Sequence, residues 1–206
     1  MLKKISIITI SLSGFGLLIS QSSQAQMLMQ ADSSSYQAQI SRDESGFNAC
    51  GIRAVSIVGD PKTNTVYDFS LNVRLPGFGL VKVGKSTIKT SDMLAKNGKQ
   101  KISLPAPIRF WISKSDSGKA ATPTKYVPAE TAGFVLGGMD FVESAEIIYA
   151  MAYGEQVQFS VSYKGDNLQS IVGISSQLSD IDKKSLNACF KGLADRIQAE
   201  GVEEKK

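Results

Sequence analysis

The sequence predicts an α+β fold: an antiparallel sheet or sandwich of about six to eight strands, one internal helix, and a C-terminal helix tethered by a disulfide. Three observations carry this. Two segments, 67–75 and 157–163, alternate apolar and polar residues with the period of a half-buried strand. Two others, 140–152 and 179–197, repeat apolar residues with helical spacing. Finally, there are only two cysteines, and they sit far apart at 50 and 189.

Residues 26–45 carry Gln, Met, Ser and Asp without a sustained period and read as a loose N-terminal segment. The domain proper is predicted over 46–198. Ile52, Ala54, Val55, Ile57 and Val58 form an apolar run that Gly59-Asp60-Pro61 stops. Tyr67, Phe69, Leu71, Val73 and Leu75 then alternate with Asp68, Ser70, Asn72 and Arg74, which gives a strand with one wet face. Pro76-Gly77 ends it. Residues 80–88 are strand-like, and Asn97-Gly98 is a turn pair. In the next strand Ile108, Phe110 and Ile112 alternate with Arg109, Trp111 and Ser113, so Trp111 faces away from the core. Residues 113–128 are rich in Ser, Lys, Thr and Pro and read as a long exposed loop.

Asp140 and Glu143 suit a helix start, Phe141, Ala145, Ile148, Tyr149 and Ala152 share one face, and Gly154 suits the stop. A hairpin follows through Lys164-Gly165-Asp166-Asn167, with Val157, Phe159, Val161 and Tyr163 pointing inward. Ser179 is a good cap for the last helix, whose stripe is Leu186, Cys189, Phe190, Leu193 and Ile197. Residues 199–206 read as a charged, solvated tail.

The first 25 residues have the pattern of a cleavable export signal. Lys3 and Lys4 precede an uncharged apolar stretch from Ile5 to Ser20, and Ser23-Gln24-Ala25 fits the small-x-small cleavage rule. The apolar stretch is short and rich in Ser and Gly for a spanning helix, which needs about 20 apolar residues. Export to the periplasm or the medium is therefore expected, with no stable membrane span after cleavage. Loss of Lys3 and Lys4 takes the net charge from +4 to +2. The remaining charges are interspersed, which argues against nucleic acid as a partner.

The chain contains no histidine. Ser-His-Asp and Cys-His catalysis and the usual histidine-containing zinc sites are thereby excluded. No pattern calls for a metal or cofactor. In an oxidising compartment Cys50 and Cys189 are expected to pair, since no Cys-x-x-Cys is present and no histidine can activate a thiol.

Two short motifs suggest chemistry. Gly79 to Ser86 satisfies the phosphate-loop pattern G-x-x-x-x-G-K-[ST] letter for letter. That loop needs a helix after it, yet Thr87, Ile88, Thr90 and Ser91 are poor helix formers, and Val81-Lys82-Val83 alternates like a strand. Ser86-Thr87-Ile88-Lys89 is an S-x-x-K, in which a lysine could activate the serine of a histidine-free hydrolase. Trp111 and Arg109 are candidate anchors for a partner. Together these features lead to an exported bacterial module that binds another envelope protein or a cell-wall component without catalysis. The alternative is a hydrolase using Ser86 and Lys89, with nucleotide binding through Gly79–Ser86 behind it.

Overall fold

A computed structural model describes residues 25–59, 62–89, 102–103, 107–114, 120–165 and 168–203. The Asn97-Gly98 turn and residues 1–24 of the expected leader lie outside them.

The fold is α+β. Its strands are β1 (Ala25–Gln30), β2 (Ser33–Asp43), β3 (Gly46–Gly59), β4 (Thr63–Arg74), β5 (Phe78–Lys89), β6 (Ile102–Ser103), β7 (Pro107–Lys114), β8 (Lys125–Pro128), β9 (Phe134–Met139), β10 (Val157–Tyr163) and β11 (Leu168–Ile174). Helix α1 spans Phe141–Ala152 and α2 spans Asp180–Glu203.

The strands form two sheets. The large one runs β2-β3-β4-β5-β9-β8, all antiparallel. Strand β6 shares the outer side of β5 with β9, pairing at Thr87 and Ile88. The small sheet runs β1-β11-β10-β7, with β1 parallel to β11 and the others antiparallel. One face of the large sheet is covered: α2 packs on β2 and β3, α1 packs on β3, β4 and β5, and the small sheet closes the rest. No described element covers the opposite face, called the open face below.

Strand β4 shows why the sequence pattern works. Tyr67, Phe69, Leu71 and Val73 are buried and their polar neighbours lie on the open face. Phe69 bridges the layers: its ring centroid lies 5.4 Å from Phe159 of β10 and 6.4 Å from Phe110 of β7. Tyr67 meets Phe159 edge-on at 5.7 Å. This aromatic cluster joins the two sheets.

The last helix is also as expected at its start and on its buried stripe. Ser179 caps it, its Oγ accepting from the Asp182 N–H at 3.2 Å. Leu186, Cys189 and Leu193 are buried, and Phe190 and Ile197 pack beside them. The Cys50–Cys189 disulfide ties this helix to β3.

The structure corrects the sequence reading at four places. Residues 26–45 are not loose: they hold most of β1 and all of β2, which pair with β11 and β3. With β8 and β6, they raise the strand number to eleven among the described residues. The segment 113–128 is not one long exposed loop. Ala121 is buried and bridges Ile112, and β8 pairs with β9. Helix α1 starts and stops as predicted, with Asp140 accepting from the Glu143 N–H at 2.9 Å and Gly154 at φ +88°. Of the expected face, Ile148 and Ala152 are buried and Phe141 and Ala145 pack against the core, but the buried surface also takes in Ser144, Ile147, Ala150 and Met151. Tyr149 turns outward to stack on Phe190 at 4.9 Å. Lastly, α2 continues to Glu203, through most of the expected tail.

Candidate functional site: the open face of the large sheet

The sequence motifs fall as follows. Gly79 to Ser86 lies wholly within β5, paired with β4 on one side and, from Gly79 to Gly84, with β9 on the other. Its N–H groups belong to the sheet, and the chain stays in the strand through Lys89, where a phosphate loop needs its helix to begin, so these residues form no phosphate cradle. The glycines have packing roles. A Cβ at Gly79 would collide with the Oγ of Ser144 on α1, and one at Gly84 would sit 2.7 Å from the Phe134 ring. Gly79→Ala is accordingly expected to destabilise the fold by about 1–3 kcal/mol in urea unfolding. ATP is expected to leave the melting temperature of the parent protein unchanged.

Ser86 and Lys89 are not brought together. An odd separation along one strand puts them on opposite faces, about 10 Å apart along the chain. Ser86 is half-buried on the open face, whereas exposed Lys89 belongs to the other. A serine–lysine proton transfer needs hydrogen-bond reach, and this arrangement does not provide it.

Trp111 lies half-buried on the outer face of the small sheet, opposite Ser160. Exposed Arg109 is opposite Ser162 on the same face. Both point away from the core, on a different surface from the open face of the large sheet.

A groove crosses the open face of the large sheet. Its floor follows from register. Gln37, Arg53, Ser70 and Lys82 stand side by side across β2, β3, β4 and β5. The next row holds Gln39, Gly51, Asn72 and Leu80. The row on the other side holds Val55, Asp68, Gly84 and Phe134. Two adjoining hollows share Gln39. One of about 450 Å³ lies over Arg53, Asp68, Ser70 and Lys82, rimmed by Thr131 and Phe134. The other, of about 300 Å³, runs past Asn72 to Arg74, Asn48 and Ser41.

The polar groups in the groove hold one another in place. Arg53 makes a two-pronged contact with Asp68, Nε to Oδ1 at 2.9 Å and Nη2 to Oδ2 at 2.5 Å. The hydrogen bond and then the charge of Asp68 raise the Arg53 pKa above its ordinary value. Asn72 reaches over Gly51, where no side chain intervenes, and its Nδ2 donates to Gln39 Oε1 at 3.3 Å. Lys82 donates to Thr131 Oγ1 at 2.9 Å and lies 5.0 Å from the Phe134 ring centroid. The fixed donors of Arg53 are only partly used: these contacts engage two of the five N–H groups a guanidinium carries.

No protein-family model, curated protein or solved structure matches this chain. The site therefore rests on its own geometry. Among the described residues no three His, Cys, Asp or Glu side chains gather as metal ligands. No described helix is long and apolar enough to cross a membrane. The alternation of β4 exposed Asp68, Ser70, Asn72 and Arg74 as one wet face in the sequence. Arg53, Gln39 and Lys82 could not be joined to them without the strand order.

Proposed function

We propose that this chain is an exported, non-enzymatic module of a bacterial envelope, which holds another envelope component on the open face of its large sheet. The observation that carries the binding role is the groove: pre-positioned, partly unsatisfied polar side chains gathered on a sheet face that no described element covers. Fixed side chains bind at low entropic cost because little is left to order. Export is supported by the leader pattern of residues 1–25 and by the Cys50–Cys189 bond, which suits an oxidising compartment.

Two readouts test this together. Mass spectrometry of the exported fraction is expected to find a chain beginning at Gln26; an intact Met1 confined to the cytoplasm would refute export. In living cells, a photo-crosslinking side chain at position 70 is expected to label an envelope component. The same side chain at position 184, exposed on α2, is expected not to. Equal labelling from both positions, or none from position 70, would refute the docking face.

A further inference from the structure

We infer that the groove takes an acidic oligosaccharide, its carboxylates received by Arg53, Lys82 and Arg74. This inference deepens the docking-face proposal and rests on it.

Three observations select that chemistry. The first is charge. The side chains lining the two hollows carry three cations and one carboxylate, Asp68, which is already engaged by Arg53. The surplus is positive in a chain whose charges are otherwise interspersed, so the groove favours an anion.

The second is the placement of donors. Arg53 and Lys82 flank Ser70 in one register row, two strand spacings apart, or about 9.6 Å between their backbones. Both side chains lean over the same hollow. A carboxylate seated above Ser70 lies within reach of both, and it meets a fixed guanidinium edge on one side and an ammonium on the other.

The third is what the rest of the floor offers. Apart from its charges, the hollow of about 450 Å³ is lined by Gln39, Ser70 and Thr131 with the Phe134 ring at its rim, and the adjoining hollow adds Ser41, Asn48 and Asn72 beside Ile40, Ala49 and Leu80. Arg53, Asp68, Ser70 and Lys82 stand on the inner strands β3, β4 and β5, where the backbone N–H and C=O groups are spent on neighbouring strands. An extended peptide gains most of its affinity from main-chain pairing at a sheet edge and from apolar pockets for its side chains. The hollow over Arg53, Ser70 and Lys82 supplies neither. A sugar presents many hydroxyls, which amide and hydroxyl side chains satisfy in pairs, and an apolar ring face that packs on an aromatic.

The test is calorimetric titration of the oxidised mature protein. The probe is bacterial cell-wall glycan strands freed of peptide, with carboxylates either intact or converted to amides. Intact strands are expected to bind and added salt to weaken them. Amidation is expected to lower affinity at least tenfold, since it removes the charge-assisted contacts. Lys82→Glu and Arg74→Glu are each expected to cost about tenfold or more, and Ser70→Trp to abolish binding by filling the floor. All three positions lie on the solvated face, and unchanged melting curves will show that the variants fold. Equal affinity for amidated strands, binding that survives Ser70→Trp, or tighter binding of extended anionic peptides would overturn the inference. If glycan strands fail while position 70 still crosslinks to an envelope protein, the acidic-sugar inference falls and the docking face stands. If position 70 labels nothing, both fall.

Discussion

Reduction of the Cys50–Cys189 bond is expected to lower the unfolding free energy by about 4–5 kcal/mol. The two cysteines are 139 residues apart and both are fully buried. Nearly the whole domain, from β3 to α2, lies inside the closed loop. The bond therefore forbids most of the expanded conformations of the unfolded chain, and loop-entropy reasoning gives the figure above. Domains of this size are stable by about 5–15 kcal/mol in total, so the loss takes a large share. It falls at a definite place. Helix α2 lies over β2 and β3, and β2 is an edge strand whose buried face depends on that cover. Urea unfolding of the parent protein, with and without reductant, measures the effect. The double variant Cys50→Ala/Cys189→Ala is expected to match the reduced parent and to ignore reductant. A shift below about 1 kcal/mol on reduction would contradict the role assigned to the bond.

The second large effect is expected from Phe69→Ala, at about 3–5 kcal/mol. Phe69 is 1% exposed and its ring packs against Phe159 and Phe110 across the gap between the sheets. Truncation removes buried surface and leaves a cavity that strands on both sides cannot close, because each is pinned by its own ladder. Phe159→Ala opens the same space. The double variant is therefore expected to lose less than the sum of the two singles, since the cavity is shared. Val127→Ala, on an exposed site of β8, is the control and is expected to stay within about 0.5 kcal/mol. Additive losses at 69 and 159 would mean that the sheets do not share one packed interior.

What the sequence revealed followed burial contrast. Strands β4 and β10 were legible because they are central, with one face fully buried: Val157, Phe159, Val161 and Tyr163 are all under 5% exposed. Helix α2 was legible because Leu186, Cys189 and Leu193 face the core while the surrounding residues are solvated. Strand β2 escaped notice for the opposite reason. Its inward residues, Tyr36 and Ala38, are only half-buried, and its other side is Ser and Gln, so the alternation is shallow. Strand β1 exists through its pairing with β11, some 140 residues distant, and no local pattern carries such a partner. Helix α1 had the right ends and most of its buried face, but Tyr149 was misplaced and Ser144 missed. An apolar residue such as Tyr149 can satisfy itself on a neighbouring helix, here against Phe190, while a small polar one, Ser144, fits against Gly79.

The candidate site was half legible. The wet face of β4 announced a solvent-facing surface, but a groove is a property of several strands in register. Arg53 and Lys82 come together only through their common neighbour Ser70. The two letter patterns pointed elsewhere because each matched residue types without the geometry they require. In β5 the glycines make room for Ser144 and Phe134, and the strand's own alternation separates Ser86 from Lys89.

The proposed function depends on the open face of the large sheet being the binding surface. Co-sedimentation of the oxidised mature chain with washed envelope fragments tests that most directly, comparing the parent protein with Ser70→Trp and with Trp111→Ala on the outer face of the small sheet. The parent and Trp111→Ala are expected to sediment with the fragments and Ser70→Trp to remain in the supernatant. Sedimentation that survives Ser70→Trp but is lost with Trp111→Ala would place the function on the other side of the molecule.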